Sequence, residues 1–368
     1  MKSLLRLLLK SQHQRSRVQQ SQTEKGMTLI ELLIGTVMAF LIITPMLGFV
    51  VDMLNTDRRE QVKSNTEQDI QAAVDFIAQD LSQAIYIYDN NPATDATATG
   101  IPAIRNFLPN PPNQTPILVF WKRQQLKNSL PITAGAAPNT CTDNTPLSGA
   151  GACNDSYVLS LVAYYQVSGG DAIWCQPSGG NTCPTRIVRY QIQDGLKNPA
   201  KSANPDPAQR YFADGVLTDG QKLSKAFDIG TVDLSGFDIS NPTEKVTKPG
   251  IDWERIDVLV NYLDHSASTT EGLAFTGTEC TIALGNPTTQ IGTTSPPIGE
   301  ETLKVTDRKT NINSFYACVD TQKNLARVTI RGNSLRRLQP NDANYDAKKS
   351  AFFPTATVQV QGLGARGK

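Results

Sequence analysis

One carboxylate, Glu31, sits in a run that is otherwise free of charge from Met27 to Val51. A carboxylate costs about 3 kcal/mol at the centre of a membrane helix and less near its ends, so it needs a partner. No Lys, Arg or His occurs within the run to supply one. A cut after Gly26 would create one, because Met27 would then carry an α-amino group, positive at neutral pH. Met27 lies four residues before Glu31. The carboxylate of one chain can therefore meet the terminal amine of a neighbour, and each charge neutralises the other. Such a pair docks chains together and catalyses nothing.

Other reactive residues are few. The chain has two histidines, His13 and His265, too few for a His-based metal centre or a Ser-His-Asp triad. His265 reads as a surface or hydrogen-bonded histidine. Six cysteines, at 141, 153, 175, 183, 280 and 318, all follow the apolar run, and no CxxC pair occurs. An even number on one side of a membrane span suggests disulfides in an oxidising compartment. Six cysteines allow 15 pairings. Proximity alone pairs Cys141 with Cys153, Cys175 with Cys183 and Cys280 with Cys318; six buried thiols are the alternative. Asp342, Asn344 and Asp346 have the D-x-N-x-D start of a calcium loop but lack its Gly and distal Glu, so a solvated turn is expected. Tyr86, Tyr88, Trp121, Trp174 and Trp253 are scattered and read as core rather than as a carbohydrate-binding surface. No phosphate-binding glycine loop or nucleophile elbow is visible. No cofactor is expected, and a net charge of +1 gives no pull toward nucleic acid.

The elements that must position Glu31 follow from the pattern. Residues 27–51 are long enough to cross a hydrocarbon core of roughly 30 Å as a helix. Lys2, Arg6, Lys10, Arg15, Arg17 and Lys25 precede the run against the single acid Glu24. This excess puts the N-terminus in the cytoplasm and the rest outside. The run is too long for the core of a cleaved secretory signal and has no small-residue site behind it. Gly35, Pro45 and Gly48 interrupt it. Residues 52–89 continue as an amphipathic helix with Ile70, Val74, Ile77, Leu81, Ile85 and Tyr88 on one face. Gln68, Asp69, Gln71, Asp75, Gln79, Asp80 and Gln83 take the other faces. After residue 89 the period changes, and strands are expected at 117–121, 157–167, 186–192, 256–263, 325–330 and 355–360. Long loops separate them at 90–116, 127–152, 197–208 and 264–313, and 362–368 reads as a frayed tail. The expected fold is α+β: a long N-terminal helix packed on a mainly antiparallel β-sheet head, residues 90–368, with disulfide-tied loops.

Lys25-Gly26-Met27-Thr28-Leu29-Ile30-Glu31 resembles the cleavage and methylation site of type IV pilins and pseudopilins, with Met in place of the commoner Phe. The resemblance implies a leader of residues 1–26, a cut between Gly26 and Met27 by prepilin peptidase, and methylation of the Met27 amine. Pilin-like proteins also tend to break their helix near Pro45; equally, Gly and Pro are common in membrane helices. Asp75-Phe-Ile-x-x-Asp80-Leu-x-Gln83-Ala84 is similar to the helix of J-type minor pseudopilins of type II secretion. Together with the Leu-rich leader, the first 90 residues resemble the C-type pseudopilins of the hormogonium polysaccharide secretion system. That resemblance implies a minor pseudopilin of the inner membrane, single-pass, with its head in the periplasm or outside. It would assemble with other pilins or pseudopilins through an assembly platform into a filament supporting polysaccharide secretion and gliding. A pilus-tip, glycan-binding adhesin is the alternative, and an enzyme is not expected.

Overall fold

The computed structural model describes residues 28–91, 100–141, 149, 151–169, 174–175, 183–228, 248, 251, 253, 256–288, 297–309, 311–339 and 343–364. The chain divides into two units, Met1–Arg58 and Arg59–Lys368. The long helix α1, Leu29–Ser82, contributes to both.

In the first unit every residue of α1 is exposed. Leu29 is 84% exposed, Phe40 72% and Phe49 71%. A helix that is apolar all round is built for an apolar surround. This one is long and apolar enough to span a membrane. Its hydroxyls are satisfied internally, as a low-dielectric setting requires: Thr36 Oγ1 donates to Leu33 O at 2.9 Å and Thr44 Oγ1 to Phe40 O at 2.8 Å.

In the second unit the helix becomes one-sided. Thr66, Ile70, Ala73, Val74, Ile77, Asp80 and Leu81 are buried. Each large apolar member contributes roughly 1.5–3 kcal/mol by leaving water. They pack on an antiparallel five-stranded sheet of order β1 (Ala84–Ile87), β2 (Gln114–Pro131), β3 (Cys153–Val167), β4 (Thr185–Gln193) and β5 (Ile256–Leu263). A second antiparallel sheet has the order β6 (Lys304–Val305), β7 (Phe315–Asp320), β8 (Leu325–Arg331) and β9 (Thr355–Gln361). The sheets join where Leu263 bridges Gly332 and Asp264 N donates to Arg331 O at 3.0 Å. Gly332 also lets α1 approach: a Cβ there would come within 2.8 Å of Thr66 Cγ2. The fold is α+β.

Side chains alternate across the first sheet. Lys122, Tyr164 and Arg189 face α1, reaching Asp80. Trp121, Tyr165 and Tyr190 face the other way. Trp121 meets Tyr88 and Phe227, Tyr165 donates to Pro109 O, and Tyr190 packs edge-on to Trp253. Residues 115–122 of β2 are consequently buried on both faces.

Several expectations are corrected. The helix ends at Ser82, not at residue 89, and Ala84–Ile87 is strand β1. Ile85 to Tyr88 are all β-branched or aromatic, and strand pairing with Trp121 and Phe120 suits them better than helix. Asp80 faces the core rather than solvent. β2 continues to Pro131 into the loop expected at 127–152, β6 lies inside the loop expected at 264–313, and β7 follows just past its end. Gly362 and Gly364 are not frayed: Gly362 N donates to Asn324 O, and Gly364 lies against the carbonyl of Ile85. Residues 365–368 lie outside the described residues.

Three disulfides join Cys141 to Cys153, Cys175 to Cys183 and Cys280 to Cys318. Cys280 and Cys318 are buried with Leu284 and Leu303. Glu300 accepts the Cys280 and Thr281 backbone N–H groups and so caps the turn carrying Cys280. The sequence separations are 38 residues for Cys280–Cys318 and 8 for Cys175–Cys183. Loop-closure entropy then assigns about 4 kcal/mol to the first bridge and about 2.5 kcal/mol to the second. In urea unfolding, a Cys280→Ser/Cys318→Ser variant should lose more stability than Cys175→Ser/Cys183→Ser.

Candidate functional site

Gly26 and Met27 lie outside the described residues, so the geometry of the site begins at Thr28. Thr28 stands just before α1, and Glu31 occupies its first turn. Glu31 Oε2 accepts the Thr28 N–H and the Thr28 hydroxyl, both at 3.0 Å. Glu31 N in turn approaches Thr28 Oγ1 at 3.4 Å. This is a reciprocal capping box, which satisfies donors that a helix start leaves open. The carboxylate therefore has a partner within its own chain, contrary to the expectation of none. The T-x-x-E spacing before an apolar run carried that signal. Both bonds end on Oε2. Among the described residues Oε1 takes none, so the carboxylate is oriented with one oxygen open to a further donor.

A second charged site lies on the buried face of α1. Asp80 Oδ1 accepts from Lys122 Nζ at 2.8 Å, and Oδ2 accepts from Arg189 Nε at 2.8 Å and Tyr164 OH at 2.7 Å. One carboxylate thus ties α1 to β2, β3 and β4. Burial pushes the Asp80 carboxyl up, but the Arg189 and Lys122 charges, with hydrogen bonds from Lys122 and Tyr164, outweigh it, and its pKa falls below the ordinary 3.8. Burial works against the Arg189 charge, yet Asp80 and Tyr164 raise its pKa. Lys122 is lowered by burial, with Arg189 adding to the effect and Asp80 opposing it. Two cations share one anion, and the polar chain continues: Arg189 Nη2 donates to Gln191 Oε1 at 2.5 Å, and Gln191 Nε2 to Gln124 Oε1 at 3.2 Å. With every member bonded, the cluster is a clamp rather than a reactive centre. Helical arithmetic could have found it. Asp80 follows Ile77 by three residues and Ala73 by seven, placing it on their face.

The remaining sequence candidates are dispersed. Among the described residues no three His, Cys, Asp or Glu gather as a metal site. Asp342 lies outside the described residues. Asp346 caps the turn Ala347–Phe352 through Lys348 N, and Asn344 neighbours His265. Burial, with Arg336, holds His265 below its ordinary 6.5 against Asp264 and Asn344, so it is neutral at pH 7. Tyr86, Tyr88, Trp121 and Trp253 are core. Trp174 is 37% exposed and shares a groove of about 670 Å³ with Phe76 of α1 and Val258 to Tyr262 of β5. A cleft of about 590 Å³ opens on the opposite face of the first sheet, between residues 106–114, Tyr190 and Trp253.

No protein-family model, curated protein or solved structure matches the chain.

Removing Asp80 would leave two buried cations without their anion. Asp80→Ala should therefore cost about 3–5 kcal/mol in urea unfolding at pH 7. The sign with pH follows from the depressed carboxyl. The stability is fully present above the ordinary 3.8 and is lost as pH falls through the lower folded value. The gap between wild type and Asp80→Ala should therefore narrow at pH 3.

Proposed function

We propose that this chain is a pilin-like structural subunit, a minor pseudopilin. In this reading prepilin peptidase cuts between Gly26 and Met27 and methylates the new amine. The apolar half of α1 waits in the inner membrane with its N-terminus cytoplasmic. The subunit then joins other pilins or pseudopilins, through an assembly platform, in a type IV pilus-like or type II secretion-like filament. The filament supports polysaccharide secretion and gliding. The role is structural, not catalytic.

The observation that carries this reading is the first half of α1. It is exposed along its whole length in the isolated chain, apolar on every side, and holds one carboxylate in its first turn. Membrane lipid would cover it before assembly, and neighbouring helices would cover it afterwards. The antiparallel head behind an N-terminal apolar helix fits a pilin-like fold. Thr28 holds Glu31 Oε2, and Oε1 remains for the Met27 ammonium of an adjacent subunit. A single hydrogen-bonded ion pair in hydrocarbon is worth far more than at a wet surface, because neither charge has water to return to. It sets the axial register of one helix against the next.

Glu31→Ala should leave membrane insertion intact, since it removes a charge from the apolar run, yet stop incorporation into filaments. Incorporation at the wild-type level would rule out the docking role. Gly26→Ala should leave the precursor uncut, read as slower gel migration. Mass spectrometry of the mature N-terminus should find Met27 first and carrying one methyl group; a chain that keeps residues 1–26 would overturn the reading.

A further inference from the structure

The cleft on the face of the first sheet away from α1 is outside the machinery described above. Its volume, about 590 Å³, lies within the roughly 300–1,000 Å³ usual for small-ligand sites. Asn106, Asn110, Gln114 and Lys248 line it, with Phe107 and Trp253 among its apolar members. Tyr190 OH donates to Gln114 Oε1 at 2.9 Å, which commits that oxygen and leaves Nε2 as the outward donor. Among the described residues, the side chains of Asn106, Asn110 and Lys248 make no hydrogen bond or ion pair. Four polar side chains with unused capacity thus converge beside aromatic and proline surfaces.

That combination selects a ligand class. A purely apolar ligand would strand the four polar groups, which is costly. A nucleotide phosphate would want a glycine-rich cradle of backbone N–H groups or several cations, whereas one ammonium is among the described residues lining the cleft. A pyranose offers hydroxyls that both donate and accept, matching carboxamides, and C–H faces that lie against aromatic rings. Hydrolysis of a glycan would need two carboxylates flanking the bond. No Asp or Glu is among the described residues lining the cleft. We propose that this cleft is a glycan-binding site, holding a pyranose oligosaccharide without cleaving it, and that Lys248 favours chains bearing carboxylate or sulfate groups. The site does not depend on the filament reading, since a subunit that never assembles would keep it.

The test uses the full chain in detergent on a panel of neutral and acidic oligosaccharides, with cellotetraose and tetragalacturonate titrated calorimetrically. Binding to panel members is expected. Asn106→Ala/Asn110→Ala removes two exposed side chains and should weaken binding about tenfold or more without moving the melting temperature, two hydrogen bonds being worth about 1 kcal/mol each. Lys248→Met should weaken tetragalacturonate and spare cellotetraose. The Glu31→Ala chain should bind as wild type does, which separates this site from assembly. No binding anywhere on the panel, or binding that the double variant leaves unchanged, overturns the proposal.

Discussion

The second unit is organised around one buried carboxylate. Apolar burial drives α1 onto the sheet, but it is non-directional and would accept many rotations and depths. Asp80 accepts one. Its two oxygens take three bonds from Lys122, Tyr164 and Arg189, each on a different strand. Sliding the helix by a single residue would strand two cations in a poor dielectric. The register of α1 against β2, β3 and β4 is therefore set by charge, while its adhesion comes from Ile70, Val74, Ile77 and Leu81. At the other end of this packed segment the same logic recurs more weakly. Asp69 pairs with Arg337, and Lys63 lies 4.6 Å from the ring centre of Phe352.

One helix thus answers to two solvents. From Leu29 to Val51 it shows apolar side chains on all sides and satisfies Thr36 and Thr44 through its own carbonyls. From Thr66 to Leu81 it is striped, with Gln68, Gln71 and Asp75 turned outward. Glu31 breaks the first pattern and Asp80 the second. Each is a carboxylate on a surface that otherwise excludes charge, and each is held by hydrogen bonds that fix its direction. The first keeps an oxygen unclaimed; the second is fully used.

Much of this was legible in the sequence, for physical reasons that also mark where legibility stopped. The apolar run, the face of Ile70, Val74, Ile77 and Leu81, and strands β3, β4, β5, β8 and β9 follow from period and composition, which burial enforces directly. Strand β1 was hidden because Ile85 and Tyr88 prolong the helical spacing; its β-branched and aromatic content outweighed that spacing. The outer part of β2, from Arg123 to Pro131, was hidden because a two-stranded ribbon exposed on one face and only half-buried on the other needs little apolar alternation. The clamp at Asp80 and the capping box at Thr28 and Glu31 had local signals, but the partners of Asp80 come from 42 to 109 residues away, beyond any periodicity. The cleft was illegible, since it assembles side chains from three separate stretches of chain.

The glycines after β9 have a consequence for how such a chain is made. Asn324 Nδ2 donates to Ala84 O, Asn324 O accepts Gly362 N, and Gly364 lies beside Ile85. The first strand of the second unit is thus fastened by residues 240 or more positions further along the chain. Contacts separated by 240 positions or more form late, because long-loop closure precedes their reward. Until residues 324–364 reach it, β1 lacks this fastening, so closing the seam is a late, long-range step in the folding of the unit.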